Sequence, residues 1–594
     1  MPNLNVNFLG QTLVLPGAYY ADNVSAALAP TQAQVPPLVF IGDFYGLAPK
    51  VPTTYTDVQD AVTAVRGAPA SVYLQFMSGP SPSLSGAQYI TLINASENTQ
   101  SSATLISSSA SGLVNLTSAN YGASTNLLQY SVEEGTIGGI LLTIYDGYTN
   151  TQKVGDNLGV PLSIAYTGSA TGVTVQVSGS VSTGATNLIL SSPNSGESFN
   201  ISLATGSYQI IQQLVSYING TGYYVATINS NANLPSSNLT IAGATSLAAP
   251  VSGVYTYVPI DATIGDVIYW VNQYASALAT ATIAAGINIS GAYSFVETGL
   301  THFTGGQNVP PTNADYAAAF NVALQTPGWA VFADSNSPAV MALGAQHAET
   351  ASTPLYGSWR RFVTGSNVGD SVSSAVTNAI QLNSATSVYC YPGIYAIDTY
   401  TGINTLYGGL AVAAAVAGIM CGNIIAQPLT NQVLSGTGVE KAGGNGQYLS
   451  VSQINQLQQA GVLVLNYPNT NVPTIVSDFT TWQQDANPEN VFTQQVACRW
   501  GLAYSLRAAA QPYIGTIESP YGLALLKRAI INQLNNLIYA PGNNGVLVSW
   551  DSKSLVLTYS GATQTVNLKV NVVLVGQVRF ILEQTFIQPL NLTA

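Results

Sequence analysis

The sequence predicts an α/β core on a mixed, mostly parallel sheet, with β-rich outer domains inserted into it, a C-terminal α+β domain and extended terminal β arms. Three observations lead to this fold class. Between residues 313 and 393, short apolar runs alternate with helical patterns over short links, which is typical of a parallel sheet covered by helices. Residues 96–255 are instead rich in Ser, Thr, Asn and Gly, with short alternating runs. Both ends of the chain are strand-forming.

The segment from 313 to 393 gives the clearest helix and strand pattern. Asn313 is expected to cap its first helix, which Pro327-Gly328 follows. In chain order, the pattern predicts a helix at 315–324, a strand at 329–333, a helix at 337–349, a strand at 361–363, a helix at 370–382 and a strand at 387–391.

The flanking segments predict further elements of both kinds. Before the insertion, we expect strands at 37–41 and 72–76 around a helix at 56–65. After it, helices are expected at 265–275, 278–285, 451–459, 492–510 and 522–539, strands at 462–465 and 473–476, and a hairpin of 547–550 with 555–559.

We divide the chain at these changes of composition. The predicted domains are an N-terminal arm at 1–20, the first part of the core at 21–95, the inserted outer region at 96–255, the main core at 256–480, the C-terminal α+β domain at 481–564 and a C-terminal strand arm at 565–594.

The two arms are predicted to be unfinished β-structure. Residues 1–20 contain one short strand with no obvious local partner, and such a strand must add to a sheet in its own chain or in a neighbour. The C-terminal run is rich in β-branched and aromatic residues and poor in charge. The candidate inter-subunit residues are Val6, Phe8, Leu13, Leu15, Val572, Leu574, Val578, Phe580 and Leu582.

Charged residues make up only 6% of the chain, against about a quarter in an average domain. Residues 1–359 hold sixteen acidic and three basic side chains, whereas 360–594 hold nine acidic and ten basic ones. No concentrated basic patch exists, so we expect no nucleic-acid partner. This uneven distribution of charge has two explanations. Either copies of the chain bind each other with the acidic face of one against the basic face of the next, or the surface composition has simply drifted.

Membrane insertion and disulfide bonds are not expected. The most apolar stretch, residues 410–426, is rich in Ala and Gly and about 17 residues long, so it is interpreted as a core helix. No secretory signal is evident at the start. Cys390, Cys421 and Cys498 are widely spaced and are interpreted as buried thiols, although a crosslink between copies stays open.

The sequence offers no recognisable catalytic, cofactor or metal site, so we expect no enzyme and no cofactor. His302 and His347 lie near no ordered Ser/Asp pair, and no phosphate-binding glycine motif occurs. Two histidines and three scattered cysteines give no metal-ligand spacing. Asp334 and Ser335 are expected to cap the next helix, and His347 to lie near a helix C-terminus.

Four arginines stand out because cations are scarce. Arg360 and Arg361 begin a strand, and one of them must face inward or sideways, where a bidentate ion pair with a carboxylate is expected. The partner is either in the same chain or in a neighbouring copy. Arg499 and Arg507, two turns apart on one predicted helix, carry the same ambiguity, so all four are candidate interface charges.

The order of several short motifs resembles the contractile tail sheath proteins of phages. From 315 onward these are DYAAAF, VFADS, WRRFVTG, GDSV, NAIQLNS and YPG, preceded by FTGGQ at 303–307 and by PGAY at 16–19. The match continues through residues 411–420, 457–465, 477–482 and 506–515, so about half the chain is covered.

The resemblance implies a subtilisin-like core and a structural role. It implies a helical stack of hexameric rings around a tail tube, with baseplate and tail terminator proteins as further partners, assembled in the host cytoplasm into the virion tail. In this family the terminal arms insert into adjacent subunits, and contraction drives the tube through the host envelope. The alternative from composition is a cell-surface array protein or adhesin, suggested by the Ser/Thr/Asn-rich region.

Overall fold

The computed structural model describes residues 6–8, 11–13, 37–203, 208–399, 401–466, 472–515, 519–540, 545–561 and 563–577. These residues form two compact units. The inserted unit consists of Tyr45–Ala48 and Glu97–Pro310, and the core unit contains the described residues on either side of these segments. The inserted unit therefore continues past residue 255, where the composition had placed the end of the insertion.

The core unit is built on an eight-stranded sheet. Six neighbouring strands run parallel, and a short antiparallel strand lies at each edge. The strand order is Thr474–Ile475, Val462–Asn466, Ser387–Tyr391, Arg361–Gly365, Ala330–Ala333, Leu38–Gly42, Ile90–Asn94 and Thr53–Tyr55. Five of the parallel strands are buried at every position, as expected for a sheet covered on both faces.

Helices cover both faces of this sheet. One face packs against Asn313–Ala323, Pro338–Ala351, Val372–Leu382 and Val451–Gln459. The other packs against Val72–Ser78 and Gly409–Gly422, and Val58–Ala64 lies beside the former. A small sheet of Ile394–Ile397, Asn404–Tyr407 and Gly438–Val439 follows the Ser387–Tyr391 strand.

Local sequence signals explain where the helices begin. Ser337, Ser371 and Ser450 each accept a hydrogen bond from a backbone N–H of the first turn. The cap of the first core helix is Thr312, which forms a capping box with Asp315, and not Asn313. Ser337, and not Asp334 or Ser335, caps the following helix.

Two predictions of element type were wrong. Residues 72–76, expected as a strand, belong to the Val72–Ser78 helix, because Pro69–Ser71 forms a 3-10 turn that leads into it. Residues 278–285, expected as a helix, contain the strand Ala279–Ile283, in which Ala279 and Ala281 are buried and the threonines between them are exposed. Pairing with Gly112–Ser118 outweighs the helix propensity of alanine there.

Over its described residues, the inserted unit contains four antiparallel sheets and two α-helices, Ile211–Gly220 and Thr263–Tyr274. The first sheet has the strand order Thr151–Leu158, Ile140–Asp146, Leu128–Glu134 and Thr298–His302, and the second has the order Tyr224–Ile228, Leu162–Tyr166 and Val258–Ile260. The third sheet has the order Phe199–Ser202, Gly184–Ser191, Val173–Ser180 and Ala242–Leu247. The fourth has the order Ala279–Ile283, Gly112–Ser118 and Ser102–Ile106. The buried side chains form two hydrophobic clusters, one around the first helix and one around the second.

The apolar stretch at 410–426 lies largely in the Gly409–Gly422 helix, which is buried at almost every position. Among the described residues, no helix combines the length and the apolar character of a membrane span.

Candidate strand-exchange site

The C-terminal part of the core unit ends in a long two-stranded sheet, the C-terminal ribbon, formed by Leu547–Ser560 and Thr565–Leu574. Within the described ranges, no third strand joins this sheet. At its base, Leu547 accepts a hydrogen bond from Tyr539 at 2.7 Å and donates one to Leu537 at 3.1 Å. Strands of 14 and 10 residues thus present two outer edges, which is the arrangement that accepts strands from another chain.

The predicted hairpin at this position was wrong in its turn. Residues 551–554, expected to connect two strands, form a bulge inside one strand, with the amide of Lys553 donating to Asp551 Oδ1 at 2.9 Å. The chain instead reverses between Ser560 and Thr565, and Gln564 there adopts a left-handed backbone conformation. The ribbon is therefore longer than the sequence had indicated.

Two helices, Thr493–Ala510 and Pro520–Asn536, hold the base of the ribbon. A short helix, Pro488–Val491, precedes them. Buried residues of the helices and the ribbon share one hydrophobic cluster, whose members include Leu502, Leu506, Ile530, Leu534, Leu547, Leu555, Val572 and Leu574. The base is thus fixed in its own chain.

Beyond this cluster, the inner face of the ribbon stays apolar but becomes exposed. Leu557 lies opposite Leu568, and Tyr559 lies opposite Val566, so these four side chains share one face. Leu568 is 36% exposed and Val566 is 37% exposed, whereas Leu555, two residues before Leu557, is 3% exposed. An apolar surface on the outer half of the ribbon is therefore available to a neighbour.

The N-terminal arm contains a second ribbon. Val6–Phe8 pairs antiparallel with Gln11–Leu13, with Val6 opposite Leu13. The prediction of a single strand with no local partner was therefore wrong. An isolated two-stranded hairpin is marginally stable in water, so the N-terminal ribbon still requires a further surface.

The predicted arm residues fall into three groups. Val6, Phe8 and Leu13 lie in the N-terminal ribbon. Val572 and Leu574 are buried in the hydrophobic cluster of their own chain, so the C-terminal arm cannot begin at residue 565. Leu15, Val578, Phe580 and Leu582 lie outside the described residues.

The four candidate arginines lie at one seam, where the Thr493–Ala510 helix meets the amino-terminal edge of the core sheet. The guanidinium of Arg361 lies over the Trp329 and Trp500 rings, 5.7 and 5.3 Å from their centroids. Arg360 donates from Nη1 to Ala323 O at 2.8 Å and from Nε to Ser358 O at 3.1 Å. Carbonyl oxygens and indole rings thus take the place of the predicted bidentate carboxylate.

Arg499 and Arg507 complete the seam. Arg499 donates to Asn490 Oδ1 at 2.7 Å, and Arg507 donates to Gly357 O at 3.2 Å. Arg360, Arg361 and Arg499 are each at most 9% exposed, which leaves them little surface for a neighbouring copy; their interface role is corrected to an internal one. Arg507 is half-buried, and its interface role stays a prediction.

The aromatic partners of these arginines were missed in the sequence. Trp329 contacts Trp500 at 6.0 Å and Tyr504 at 5.7 Å between ring centroids, and Trp359 contacts Tyr504 at 5.0 Å. The sequence does place tryptophan beside arginine twice, in Trp359-Arg360-Arg361 and in Arg499-Trp500. This adjacency could have indicated that the arginines have aromatic neighbours.

His347 and the three cysteines singled out in the sequence are buried. His347 is buried, and burial together with the Arg360 charge lowers its pKa to about 3, so it is neutral and not the helix-end partner that was expected. All three cysteines are buried and unpaired by disulfides, and burial raises the pKa of Cys421 and Cys498 to about 12. No group of three His, Cys, Asp or Glu side chains in the described ranges could hold a metal ion.

Known proteins similar to this chain include tail sheath proteins. No family model matches the chain. A tail sheath protein of Bacillus phage SP01 is 25% identical over 491 residues, which cover 80% of this chain and 80% of that protein. A solved sheath tail protein from Listeria innocua has a TM-score of 0.54 at 11% identity and covers 92% of this chain and 93% of its own. Another, from Desulfitobacterium hafniense, has a TM-score of 0.49 at 13% identity, with 91% and 93% covered. The chain is thus similar in sequence to a phage tail sheath protein over most of its length, and its fold is similar to that of a solved sheath tail protein.

Proposed function

We propose that this chain is the subunit of a contractile tail sheath. Copies polymerise helically around a tail tube, and their rearrangement into a more compact lattice drives the tube through the host envelope. Two facts support this role: the similarity to a phage tail sheath protein over 80% of the chain, and the fold shared with a solved sheath tail protein. The observation that carries the mechanism is the C-terminal ribbon with its two available edges.

In this proposal, the ribbon is the acceptor for strands from neighbouring copies. The N-terminal ribbon of one neighbour and the C-terminal residues after 577 of another add to its two edges, and backbone hydrogen bonds join the copies into a mesh. The exposed apolar side chains of Val566 and Leu568 would be covered in the same step, which adds specificity to the backbone pairing.

The partners follow from this role. We infer a homo-oligomer of stacked hexameric rings, with the tail tube inside and with baseplate and tail terminator proteins at its ends. The place of action is the virion tail, after assembly in the host cytoplasm. The energy for contraction would come from additional surface buried between subunits and not from a bound nucleotide, so the role is structural and not enzymatic.

Electron microscopy of the purified full chain in negative stain tests the proposal. Tubes or stacked rings are expected, and removal of residues 1–13 should leave monomers of unchanged thermal stability. Flat lattices would instead favour a surface-array protein. A protein that stays monodisperse at every concentration, or a truncated protein that forms the same tubes, would contradict strand exchange.

A further inference from the structure

A polar cluster lies at the carboxyl edge of the core sheet, where the chain leaves the core unit. Asp43 follows the Leu38–Gly42 strand, Ser96 follows the Ile90–Asn94 strand and Asp334 follows the Ala330–Ala333 strand. The chain enters the inserted unit directly after Phe44 and again directly after Ser96. Two of its passages between the units therefore begin beside these side chains.

The cluster is closed by hydrogen bonds within the core unit. Asp334 Oδ2 accepts from the amide of Asp43 at 2.9 Å, and Asp334 Oδ1 accepts from the Tyr316 hydroxyl at 2.5 Å. Asp43 Oδ1 accepts in turn from the Ser96 hydroxyl. These bonds tie both outgoing segments to each other and to the Asn313–Ala323 helix, which carries Tyr316.

Two further residues fix the same geometry. Asn94 Oδ1 accepts from the amide of Phe44 at 3.1 Å and from the amide of Ser96 at 3.0 Å, so one buried side chain bridges both segments. A Cβ at Gly42 would lie 3.1 Å from Asp334 Cγ and 3.1 Å from its Oδ2, so the Asp334 carboxyl group is seated directly over that glycine.

Two carboxyl groups thus lie in one partly buried site. The titratable groups that act on Asp334 are Asp43, Tyr316 and Tyr73, and none of them supplies a positive charge. Lys50 lies in the same region, but its Nζ is bonded to Asp315 Oδ1 at 3.1 Å. Burial raises the pKa of Asp334 to about 6, and burial also raises the pKa of Asp43.

We propose that Asp43 and Asp334, with Ser96 and Tyr316, form an acid-strengthened clasp on the two chain segments that lead into the inserted unit. Below about pH 5, a proton on Asp334 removes the cost of holding a buried charge without a positive partner, and the clasp stays closed. Near neutral pH Asp334 is ionised, and the clasp opens more often. The proposal does not depend on the sheath role.

The direction of the effect follows from the carboxyl equilibria. A carboxyl group whose pKa is raised in the folded state holds a proton that the opened state releases, so its contribution to stability is present below about pH 4 and is lost as the pH rises through about 6. The protein should therefore open less readily around residues 43 and 96 in acid than at neutrality.

Hydrogen–deuterium exchange of the full chain measures this opening directly. After correction for the intrinsic rate, amides in peptides covering 38–48 and 90–98 should be about tenfold more protected at pH 4.5 than at pH 7. In Asp334→Asn, which cannot ionise, that ratio should fall to about one. Glu349→Gln is the control: it removes an exposed carboxylate from the Pro338–Ala351 helix, and the wild-type ratio should remain.

Three results would overturn the proposal: equal protection of the wild type at both pH values, an unchanged ratio in Asp334→Asn, or loss of the ratio in Glu349→Gln. If Asp334→Asn does not fold, Tyr316→Phe provides the test. It removes one donor to Asp334, so protection should fall at both pH values while the ratio between them persists; wild-type protection in that variant would also overturn the proposal.

Discussion

The guanidinium of Arg361 lies 5.3 Å from the centroid of the Trp500 ring. This contact joins a strand of the core sheet to the helix that holds the C-terminal ribbon. The guanidinium also lies 5.7 Å from the centroid of the Trp329 ring, and no carboxylate within the described ranges forms an ion pair with it. The contact therefore couples the base of the ribbon to the core sheet.

Trp500→Ala should lower the free energy of unfolding of the unassembled protein by about 3–5 kcal/mol, because it leaves a cavity and removes one of the two rings that cover a buried charge. Urea unfolding followed by circular dichroism measures the change. Tyr521→Ala, at a site that is 73% exposed on the next helix, should change stability by less than about 0.5 kcal/mol. Equal effects of the two substitutions would show that the contact between Trp500 and Arg361 does not contribute to the free energy of unfolding.

Much of the core could be predicted from the sequence because burial on both faces leaves continuous apolar runs. The strands at Leu38–Gly42, Ala330–Ala333 and Ser387–Tyr391 follow directly from such runs. Residues 72–76 were misassigned because five residues are too few to show a clear period, and 278–285 because their alanines favour a helix. Tertiary packing decided both cases.

The candidate site could be predicted only in outline. The scarcity of cations marked Arg360 and Arg361 as special, but no sequence pattern shows whether the partner of a buried guanidinium is a carboxylate, a carbonyl or an indole ring. The strand-forming character of residues 547–574 was equally visible, whereas the bulge at 551–554 was interpreted as a turn because its residues are polar in both cases.

His347 makes the protein sensitive to acid in the opposite direction from Asp334. Because its pKa is lowered to about 3, the unfolded chain takes up a proton below pH 6.5 that the folded chain does not, so stability falls as the pH drops. His347→Leu should remove about 3 kcal/mol of the stability lost between pH 6.5 and pH 4. Urea midpoints of the wild type and of His347→Leu across this pH range compare the two slopes. The same slope in His347→Leu as in the wild type would refute the assignment.

The close packing of two helices depends on Gly418. A Cβ at this position would lie 2.3 Å from the carbonyl oxygen of Met77, which is backbone and cannot rotate away. Gly418→Ala should therefore destabilise the protein by about 1–3 kcal/mol. Gly220→Ala, in a helix where nothing lies within 4 Å of the added methyl group, should be neutral or stabilising by up to about 1 kcal/mol. Thermal unfolding of both variants measures the contrast, and a neutral Gly418→Ala would mean that the two helices can separate without loss.

The exposed apolar face of the C-terminal ribbon provides the sharpest test of assembly. Leu568→Lys places a charge on that face at a position that is 36% exposed, so the fold should tolerate it while the contact with an added strand is lost. We expect a monomer with a melting temperature within a few degrees of the wild type and no tubes in negative stain. Val573→Lys is the matched control, since Val573 is 46% exposed between the buried Val572 and Leu574 and therefore lies on the opposite face of the same strand. That variant should still form tubes. If Leu568→Lys still forms tubes, this face does not take part in the contact between copies. If neither variant forms tubes, a charge on either face of the ribbon prevents assembly, and the proposed difference between the two faces is wrong.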